Sequence, residues 1–379
     1  MSTRYLVSLA LAALAAIATV PASAQSPMTR AQAVNPQALQ QRELNASPAI
    51  QAKLQTMRTN IAQKRLNYSV GLTKALTMPR AQLLGDQDDP KITPAMRMHI
   101  TKTSLEVLKA DEDARVKYLL ANPNMRRVVP DITIVQLGCN ANLRKFDWRT
   151  HGKVSPVRAQ TCGNCWSFAA VAAYESSQLM RNNAASDSSE QYINDCGATD
   201  GGVDAGSCSG GLSAKALEHM VRIGNTTEAA VPYTGTNKTC TNPAAGLKSI
   251  AWGYVDPAVD FPSRQKIKQA LCEHGALTTR MRVVSDDLFA YTGGVYNEAV
   301  ASDSAGGGHA VVIVGWDDDQ NAWLIKNSWD TDWGMGGFGW IGYNSNRIGR
   351  QTAWVKARSN FYAFNPALLK NIRLQPRSN

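Results

Sequence analysis

Long apolar runs are scarce in this sequence of 379 residues. The clearest one, residues 5–20, follows Arg4 and precedes the small residues Ala22-Ser23-Ala24. A charge, a short apolar run and small residues in that order are typical of a removable secretory signal, and the run is short for a membrane span. We therefore expect residues 1–24 to be a signal peptide. The rest of the chain is expected to be secreted, to the periplasm or the cell exterior, without a membrane anchor.

The sequence also lacks the clusters that mark nucleic-acid or metal sites. Its formal net charge is +10, but most of the excess lies before residue 142 and forms no patch interleaved with aromatic residues. Such a distribution argues against nucleic acid as a partner. The acidic run at residues 317–319 has no EF-hand spacing around it and is interpreted as a solvated turn. We expect no metal, no cofactor and a monomer.

Cysteine is absent before residue 139, and the total is odd. The seven residues are Cys139, Cys162, Cys165, Cys196, Cys208, Cys240 and Cys272. Disulfides persist in an exported protein, so an odd count leaves at least one thiol without an intrachain partner. Three disulfides and one reactive thiol are the simplest arrangement.

Residues 25–141 are rich in Gln, Ala, Lys, Arg and Leu and offer little that could perform chemistry. Apolar residues at helical spacing in residues 50–62 and 96–120 predict two or three surface helices. The polar stretch 85–90 is interpreted as a turn between them. Residues 128–135 look extended and are expected to lie along a surface of the following part.

The most informative stretch is Gln160-Thr161-Cys162-Gly163-Asn164-Cys165-Trp166-Ser167-Phe168. The apolar run that follows predicts a tight turn leading into a buried helix, with Cys165 in its first turn. The positive end of the helix dipole would favour a thiolate there, which suits a nucleophile. The spacing of Cys162 and Cys165 alone also suits a redox pair or two zinc ligands. An oxidising compartment weakens both of those alternatives, because Cys162 is then most simply bridged elsewhere.

A thiol nucleophile needs a partner that takes its proton and later protonates the leaving amine. His309 stands at the start of a predicted buried strand after three glycines, and residues 306–316, 322–329 and 337–343 predict an antiparallel sheet. The amide oxygen of Asn327 on the neighbouring strand would orient the imidazole, and Trp329 is placed to keep water from that hydrogen bond.

A tetrahedral intermediate also needs donors for its oxyanion. The side-chain amide of Gln160 and the backbone N–H of Cys165 are the predicted donors. The predicted catalytic residues are therefore Cys165, His309, Asn327 and Gln160.

Four blocks of this sequence together resemble the papain family of cysteine peptidases, in the family's order. They are residues 160–168, the run Cys208-Ser209-Gly210-Gly211, residues 308–316, and residues 326–339 with Asn327, Trp333 and Gly337-Phe338-Gly339. The resemblance implies an α+β fold of two domains, a helical left domain carrying Cys165 and an antiparallel β-rich right domain carrying His309. It covers about residues 147–343, within a peptidase domain at residues 142–379 whose tail from about 344 matches poorly. Residues 25–141 would be a mostly helical propeptide that covers the cleft as an intramolecular inhibitor.

The resemblance also implies pairings and contacts. Cys162 would bridge to Cys208 and Cys196 to Cys240, and parity then leaves Cys139 with Cys272. Gly210 and Gly211 would bind an extended substrate through their backbones. The pocket for the second residue before the scissile bond would include Leu212, Ser213 and Ala310, whose small and apolar walls predict an apolar side chain there. Trp329 completes the predicted substrate-binding set.

The implied function is a cysteine endopeptidase that hydrolyses proteins or peptides and is made as an inactive precursor. The absence of a histidine-bearing insertion between Cys196 and Cys208 favours cleavage within chains. Gln160 is one residue closer to Cys165 than is usual in the family, which could displace the oxyanion donor. The alternatives are a thiol–disulfide oxidoreductase using Cys162 and Cys165, and a catalytically silent binding protein of the same fold.

Overall fold

The computed structural model describes residues 36–124, 138–198, 204–241 and 243–364. The predicted signal peptide and the stretch at 128–135 lie outside these ranges. The α-helices are α1 Pro36–Leu44, α2 Pro48–Gln63, α3 Arg80–Leu83, α4 Pro94–Ala121, α5 Cys165–Asn182, α6 Glu190–Cys196, α7 Ser213–Arg222, α8 Arg264–His274 and α9 Phe361–Phe364. The strands are β1 Tyr68–Val70, β2 Lys145–Asp147, β3 Gly206–Ser207, β4 Gly210–Gly211, β5 Ser249–Tyr254, β6 Leu277–Val283, β7 Tyr291–Tyr296, β8 Gly307–Asp317, β9 Ala322–Lys326, β10 Phe338–Gly342 and β11 Arg350–Ala357. Short 3₁₀ helices occupy Ala75–Thr77, Trp148–His151 and Asp286–Leu288.

Three of the longer helices begin at hydroxyl side chains. Ser47, Thr93 and Ser263 each accept a hydrogen bond from the backbone N–H three residues further on, which satisfies one of the free donors of a helix start. A proline follows Ser47 and Thr93, in the position where its missing N–H costs nothing. These caps explain where α2, α4 and α8 begin, and the helices predicted near residues 50–62 and 96–120 are confirmed.

A large sheet forms the centre of the protein. Its strands lie in the order β1-β7-β10-β9-β8-β6-β11-β5, and β2 pairs with β8. Every pairing is antiparallel except that of β7 with β10, so the predicted antiparallel arrangement of β8, β9 and β10 is confirmed. β11 lies between β6 and β5. Part of the tail after residue 344, which matched the family motifs poorly, is therefore a strand of this sheet.

Helix α5 is buried along most of its length and packs against β8, β11 and α7. Its run Ala169-Ala170-Val171-Ala172-Ala173 presents small side chains, which allow the helix axis to approach the sheet closely. The helix ends at Asn183, which adopts the left-handed conformation that asparagine tolerates better than most residues. This packing fixes the N-terminus of α5 beside the first residues of β8.

The N-terminal part of the described chain holds both edges of the large sheet. β1 extends one edge by pairing with β7, with Tyr68 opposite Gly294. α4 packs on β5 at the other edge, where Thr101 accepts a 3.0 Å hydrogen bond from the N–H of Tyr254. The residues between β1 and α4 therefore have to pass across the protein. None of the helices in the described ranges is both long and apolar enough to cross a membrane.

Candidate active site

Cys165 is the first residue of α5 and is completely buried. A disulfide between Cys162 and Cys208 anchors the turn before it, and the N–H of Gly163 donates to the carbonyl of Cys208 over 3.0 Å. The other disulfides join Cys196 to Cys240 and Cys139 to Cys272, so Cys165 alone keeps a free thiol. These are the pairs expected from the resemblance and from parity.

The start of β8 places His309 next to this thiol. The backbone N–H of Ala310 donates a 3.5 Å hydrogen bond to Cys165 Sγ. His309 Nε2 lies 2.8 Å from Asn327 Oδ1, just beyond the end of β9, and the imidazole stacks on Trp329 with ring centroids 4.4 Å apart. The chain therefore brings together a thiol, an imidazole and an amide from three distant parts of the sequence, with an indole covering the imidazole.

Gln160 keeps its amide directed at the cleft although the loop to Cys165 is short. Its Nε2 donates to the carbonyl of Gln82 over 2.8 Å and to that of Cys162 over 3.0 Å. Its Oε1 accepts a 2.6 Å hydrogen bond from the hydroxyl of Ser328. The side chain is thus held in place by the protein and presents its N–H donor to a carbonyl from elsewhere in the chain.

That carbonyl belongs to residues 82–89, which we call the crossing segment. Gly85 accepts a 2.8 Å hydrogen bond from the N–H of Gly211, and Gln87 donates one of 2.9 Å to the carbonyl of Gly211. The N–H of Asp86 donates to the carbonyl of Gly308 over 3.2 Å. The crossing segment therefore lies in the cleft like an added strand, parallel to Gly211.

This finding corrects the prediction of a surface turn at residues 85–90. Gly85 and Asp86 are buried against the walls of the cleft, whereas Gln87 and Asp88 bond to the cleft walls and keep part of their surface exposed. A Cβ atom added to Gly85 would lie only 1.7 Å from the carbonyl oxygen of Gly163. Glycine is therefore needed for close approach of two backbones beside Cys165, which a sequence pattern cannot distinguish from a turn.

The covered site holds its thiol and imidazole uncharged. Burial raises the pKa of Cys165 to about 12, and the charge of Asp86 acts in the same direction, against hydrogen bonds from nearby backbone N–H groups. Burial lowers the pKa of His309 to about 4, and its bonds with Asn327 and the carbonyl of Leu83 offset this only partly. At pH 7 the thiol keeps its proton and the imidazole is neutral, so no thiolate is present beneath the crossing segment.

Two of the predicted substrate-binding residues, Gly210 and Gly211, lie directly against the crossing segment, and Trp329 lies against His309. Gly211 carries the strand-like hydrogen bonds, and Gly210 faces the side chain of Gln87. Leu212 and Ser213 line one pocket, and Ala310 lies opposite Arg280 in the pairing of β6 with β8.

The expectation of small and apolar walls in this pocket is wrong in one respect, since Arg280 also lines it. The guanidinium enters from β6, which is far from the other pocket residues in sequence. The strand Leu277–Val283 contains two arginines, Arg280 and Arg282, and an arginine within a largely buried strand is the one sequence signal that could have pointed to the pocket.

A folded unit with a free helix-terminal cysteine, a histidine and an asparagine meeting in one cleft is the arrangement of a thiol-dependent hydrolase. The family profile described as "Papain family cysteine protease" matches residues 143–357, more than half of the chain. The protein therefore belongs to the papain family of cysteine proteases. The match extends through β11 and so covers part of the tail, from about residue 344, in which the sequence motifs resemble the family poorly.

Individual relatives agree with this assignment. A viral cathepsin of Heliothis zea nuclear polyhedrosis virus is 32% identical over 61% of this chain and 59% of its own length. Cathepsin J of Rattus norvegicus is 30% identical over 65% of this chain and 71% of its own length. The chain spans 59 to 63% of the length of three of the curated relatives that it matches, the viral cathepsin among them.

A solved structure extends the likeness of fold beyond the matched region. The digestive procathepsin L2 proteinase of Tenebrio molitor larval midgut aligns with a TM-score of 0.59, covering 84% of this chain and 91% of its own. At 23% sequence identity this similarity shows the fold. The papain-like fold predicted from the sequence is confirmed, with helices and an antiparallel-rich sheet preceded by a helical N-terminal region.

Proposed function

We propose that the protein is a secreted cysteine endopeptidase made as an inactive precursor, with residues 25–141 as its propeptide and residues 142–379 as its peptidase domain. One observation carries the proposal. The only free thiol of the chain lies 3.5 Å from the N–H of Ala310, directly after His309, and the chain's own crossing segment occupies the cleft above it. A nucleophile and a cover that excludes substrate are the two elements that a precursor of this kind needs.

The proposed mechanism uses residues already described. When the cleft is open, His309 accepts the proton of Cys165, and the thiolate attacks the carbonyl carbon of a peptide bond. The amide of Gln160 and the N–H of Cys165 stabilise the resulting oxyanion. The imidazolium then protonates the leaving amine, and water attacks the thioester with His309 as the base. Asn327 holds the imidazole in orientation throughout.

The alternatives have less support. An oxidoreductase would exchange a disulfide between Cys162 and Cys165, yet Cys162 is bridged to Cys208. A silent binding protein would not require the thiol, the imidazole and the amide together. The mature enzyme is proposed to act outside the cytoplasm as a monomer on protein or peptide substrates, in agreement with its three disulfides.

The direct test starts from the full chain without residues 1–24. The purified protein is incubated at mildly acidic pH with a reductant, and the new N-terminus and the cleavage of a peptide library are followed. We expect loss of the N-terminal part together with the appearance of cleavage within peptides. The proposal fails if the chain from which the N-terminal part has been removed, by itself or by an added protease, cleaves no peptide.

Replacing Asn327 with Ala is expected to lower kcat of the processed enzyme by about 100-fold or more, with little change in KM. The hydrogen bond of 2.8 Å to His309 would be lost, and the imidazole would no longer be held in the tautomer that serves as base. Asn327→Asp keeps an acceptor for that bond and serves as the matched control. Steady-state kinetics on one peptide would measure both, and equal kcat for Asn327→Ala and the unmodified enzyme would contradict a positioning role.

A further inference from the structure

The pocket beside the nucleophile contains a buried guanidinium. Arg280 on β6 has only 6% of its surface exposed and lines the pocket together with Leu212, Ser213 and Gln351. Burying a charge is costly unless the charge is paired and hydrogen-bonded. The partners of this arginine therefore indicate what the pocket is built to hold.

Most of those partners come from the crossing segment. Arg280 Nε donates to Asp86 Oδ2 over 2.7 Å, Nη2 donates to the carbonyl of Gln87 over 2.9 Å, and Nη1 lies 2.9 Å from Asp88 Oδ1. Only a 2.8 Å bond from Nη1 to Gln351 Oε1 comes from the pocket wall. When the crossing segment leaves, the guanidinium keeps one neutral partner and loses both of its carboxylates.

The surroundings of the pocket supply no replacement for these carboxylates. Among the described residues, the only ion pairs of Arg280 are with Asp86 and Asp88. Of the other acidic groups nearby, Asp260 pairs with Arg97 at 2.7 Å and Asp303 lies 3.7 Å from Arg350. Glu218 is buried and acts on the pKa of the pocket residue Tyr254 in the direction opposite to Arg280. The emptied pocket would therefore hold an excess of positive charge.

The direction in which the crossing segment runs past Cys165 and His309 indicates which half of a substrate enters this pocket. Gly85 lies at the thiol of Cys165, and the carbonyl of Leu83 lies at the imidazole of His309. The leaving amine takes its proton from His309, so the leaving half of a substrate occupies the place of Leu83. The acyl half then occupies the places of Gly85 and Asp86. Asp86 thus stands where a substrate has its second residue before the scissile bond.

We propose that Arg280 selects an acidic side chain at that position. The enzyme then cleaves the peptide bond that follows Xaa in an Asp-Xaa or Glu-Xaa pair. The inference rests on the proposed peptidase function and specifies its substrate class. In the precursor, Asp86 fills the same pocket as a built-in mimic of such a side chain. A neutral side chain of similar size would leave the guanidinium without a charged partner, which disfavours it strongly.

The test uses the processed enzyme and a set of internally quenched peptides that differ only at the second residue before the scissile bond. Asp, Glu, Asn, Gln, Leu and Lys are compared at this position. We expect kcat/KM for Asp or Glu to exceed that for Asn, Gln and Leu by on the order of 100-fold. A preference of the unmodified enzyme for Leu over Asp and Glu would overturn the inference by itself.

Arg280→Gln is expected to remove the preference while keeping hydrolysis of the Leu or Gln peptide. Arg282→Gln is the matched control, because the guanidinium of Arg282 bonds to the carbonyls of Ala305 and Gly306 and not to Asp86. An unchanged preference in Arg280→Gln would also contradict the inference.

An uncharged epoxide probe of the thiol distinguishes the two levels of failure. If the probe labels Cys165 and neutral peptides are cleaved without acidic preference, only the inference on the pocket fails. If neither labelling nor cleavage of any peptide occurs, the proposed function itself fails.

Discussion

Replacement of Cys165 with Ala is expected to abolish peptide hydrolysis by the processed enzyme, with a loss in kcat on the order of 10⁶-fold. The reason is that Cys165 is the only one of the seven cysteines outside a disulfide, and its Sγ accepts a hydrogen bond from the N–H of Ala310, directly after His309. Labelling by an epoxide probe or iodoacetamide is expected to disappear together with the hydrolysis.

The control for this substitution is chemical. Processed enzyme that retains Cys165 is alkylated at this residue with iodoacetamide. It should then show the same residual rate as the Cys165→Ala chain. Because the variant cannot process itself, its N-terminal part is removed with an added protease before the assay. Measurable hydrolysis by the purified variant, at more than a trace of the unmodified rate, would contradict the account.

The second large effect is expected at Gly85 in the full chain. A methyl group there would lie 1.7 Å from the carbonyl oxygen and 2.4 Å from the carbonyl carbon of Gly163. Gly163 cannot easily move, because its neighbour Cys162 is bridged to Cys208. Gly85→Ala should therefore lift the crossing segment, and the unprocessed chain should react with iodoacetamide about 100-fold faster, since a two-unit fall in the thiol pKa increases the thiolate by that factor.

Gly71→Ala is the matched control within the same N-terminal part. The nearest atoms to a methyl group at Gly71 are the ends of two side chains, those of Thr292 at 3.1 Å and Glu43 at 3.2 Å. Those side chains can adjust, so thiol reactivity should stay at the level of the unmodified full chain. If Gly85→Ala reacts as slowly as Gly71→Ala, the close approach of the crossing segment does not protect the thiol.

The sequence predicted those parts of the site whose signals are local. Cys165 follows a tight turn and opens an apolar helix, and His309 opens a strand after three glycines. Both patterns are local, since helical periodicity is recognised over roughly 11–18 residues and strand patterns over roughly 4–8. Asn327 could be predicted because it follows the strand that pairs with the strand of His309, and antiparallel pairing brings the two residues close together.

The parts that could not be predicted depend on pairings between distant segments. Arg280 enters the pocket only because β6 pairs with β8 in a register that places it opposite Ala310. The path of the crossing segment depends on α4 and β1 docking at opposite edges of the sheet. Asp86 and Gly85 carried the signature of a turn, since small and polar residues suit both a turn and a close backbone contact.

The two pKa values of the covered site describe how activation would proceed. With the crossing segment in place, the pKa of Cys165 is raised to about 12 and that of His309 is lowered to about 4, both chiefly by burial. Opening the cleft admits water and removes the charge of Asp86. Both changes lower the pKa of the thiol, and hydration raises that of the imidazole. Once the two values cross, the proton moves from sulfur to nitrogen and the pair becomes reactive at neutral pH.

The most direct test of this account is the protonation state of His309, followed by nuclear magnetic resonance of labelled histidine and assigned through the His309→Ala chain. At pH 7 the full chain should show a neutral imidazole at this position, and the processed enzyme an imidazolium that persists above the ordinary histidine pKa of about 6.5. In the processed Cys165→Ala chain, the imidazolium of His309 should lose its proton at a lower pH than in the processed enzyme with Cys165. A His309 that stays neutral at pH 7 in the processed enzyme, or titrates identically with and without the sulfur of Cys165, would contradict the account.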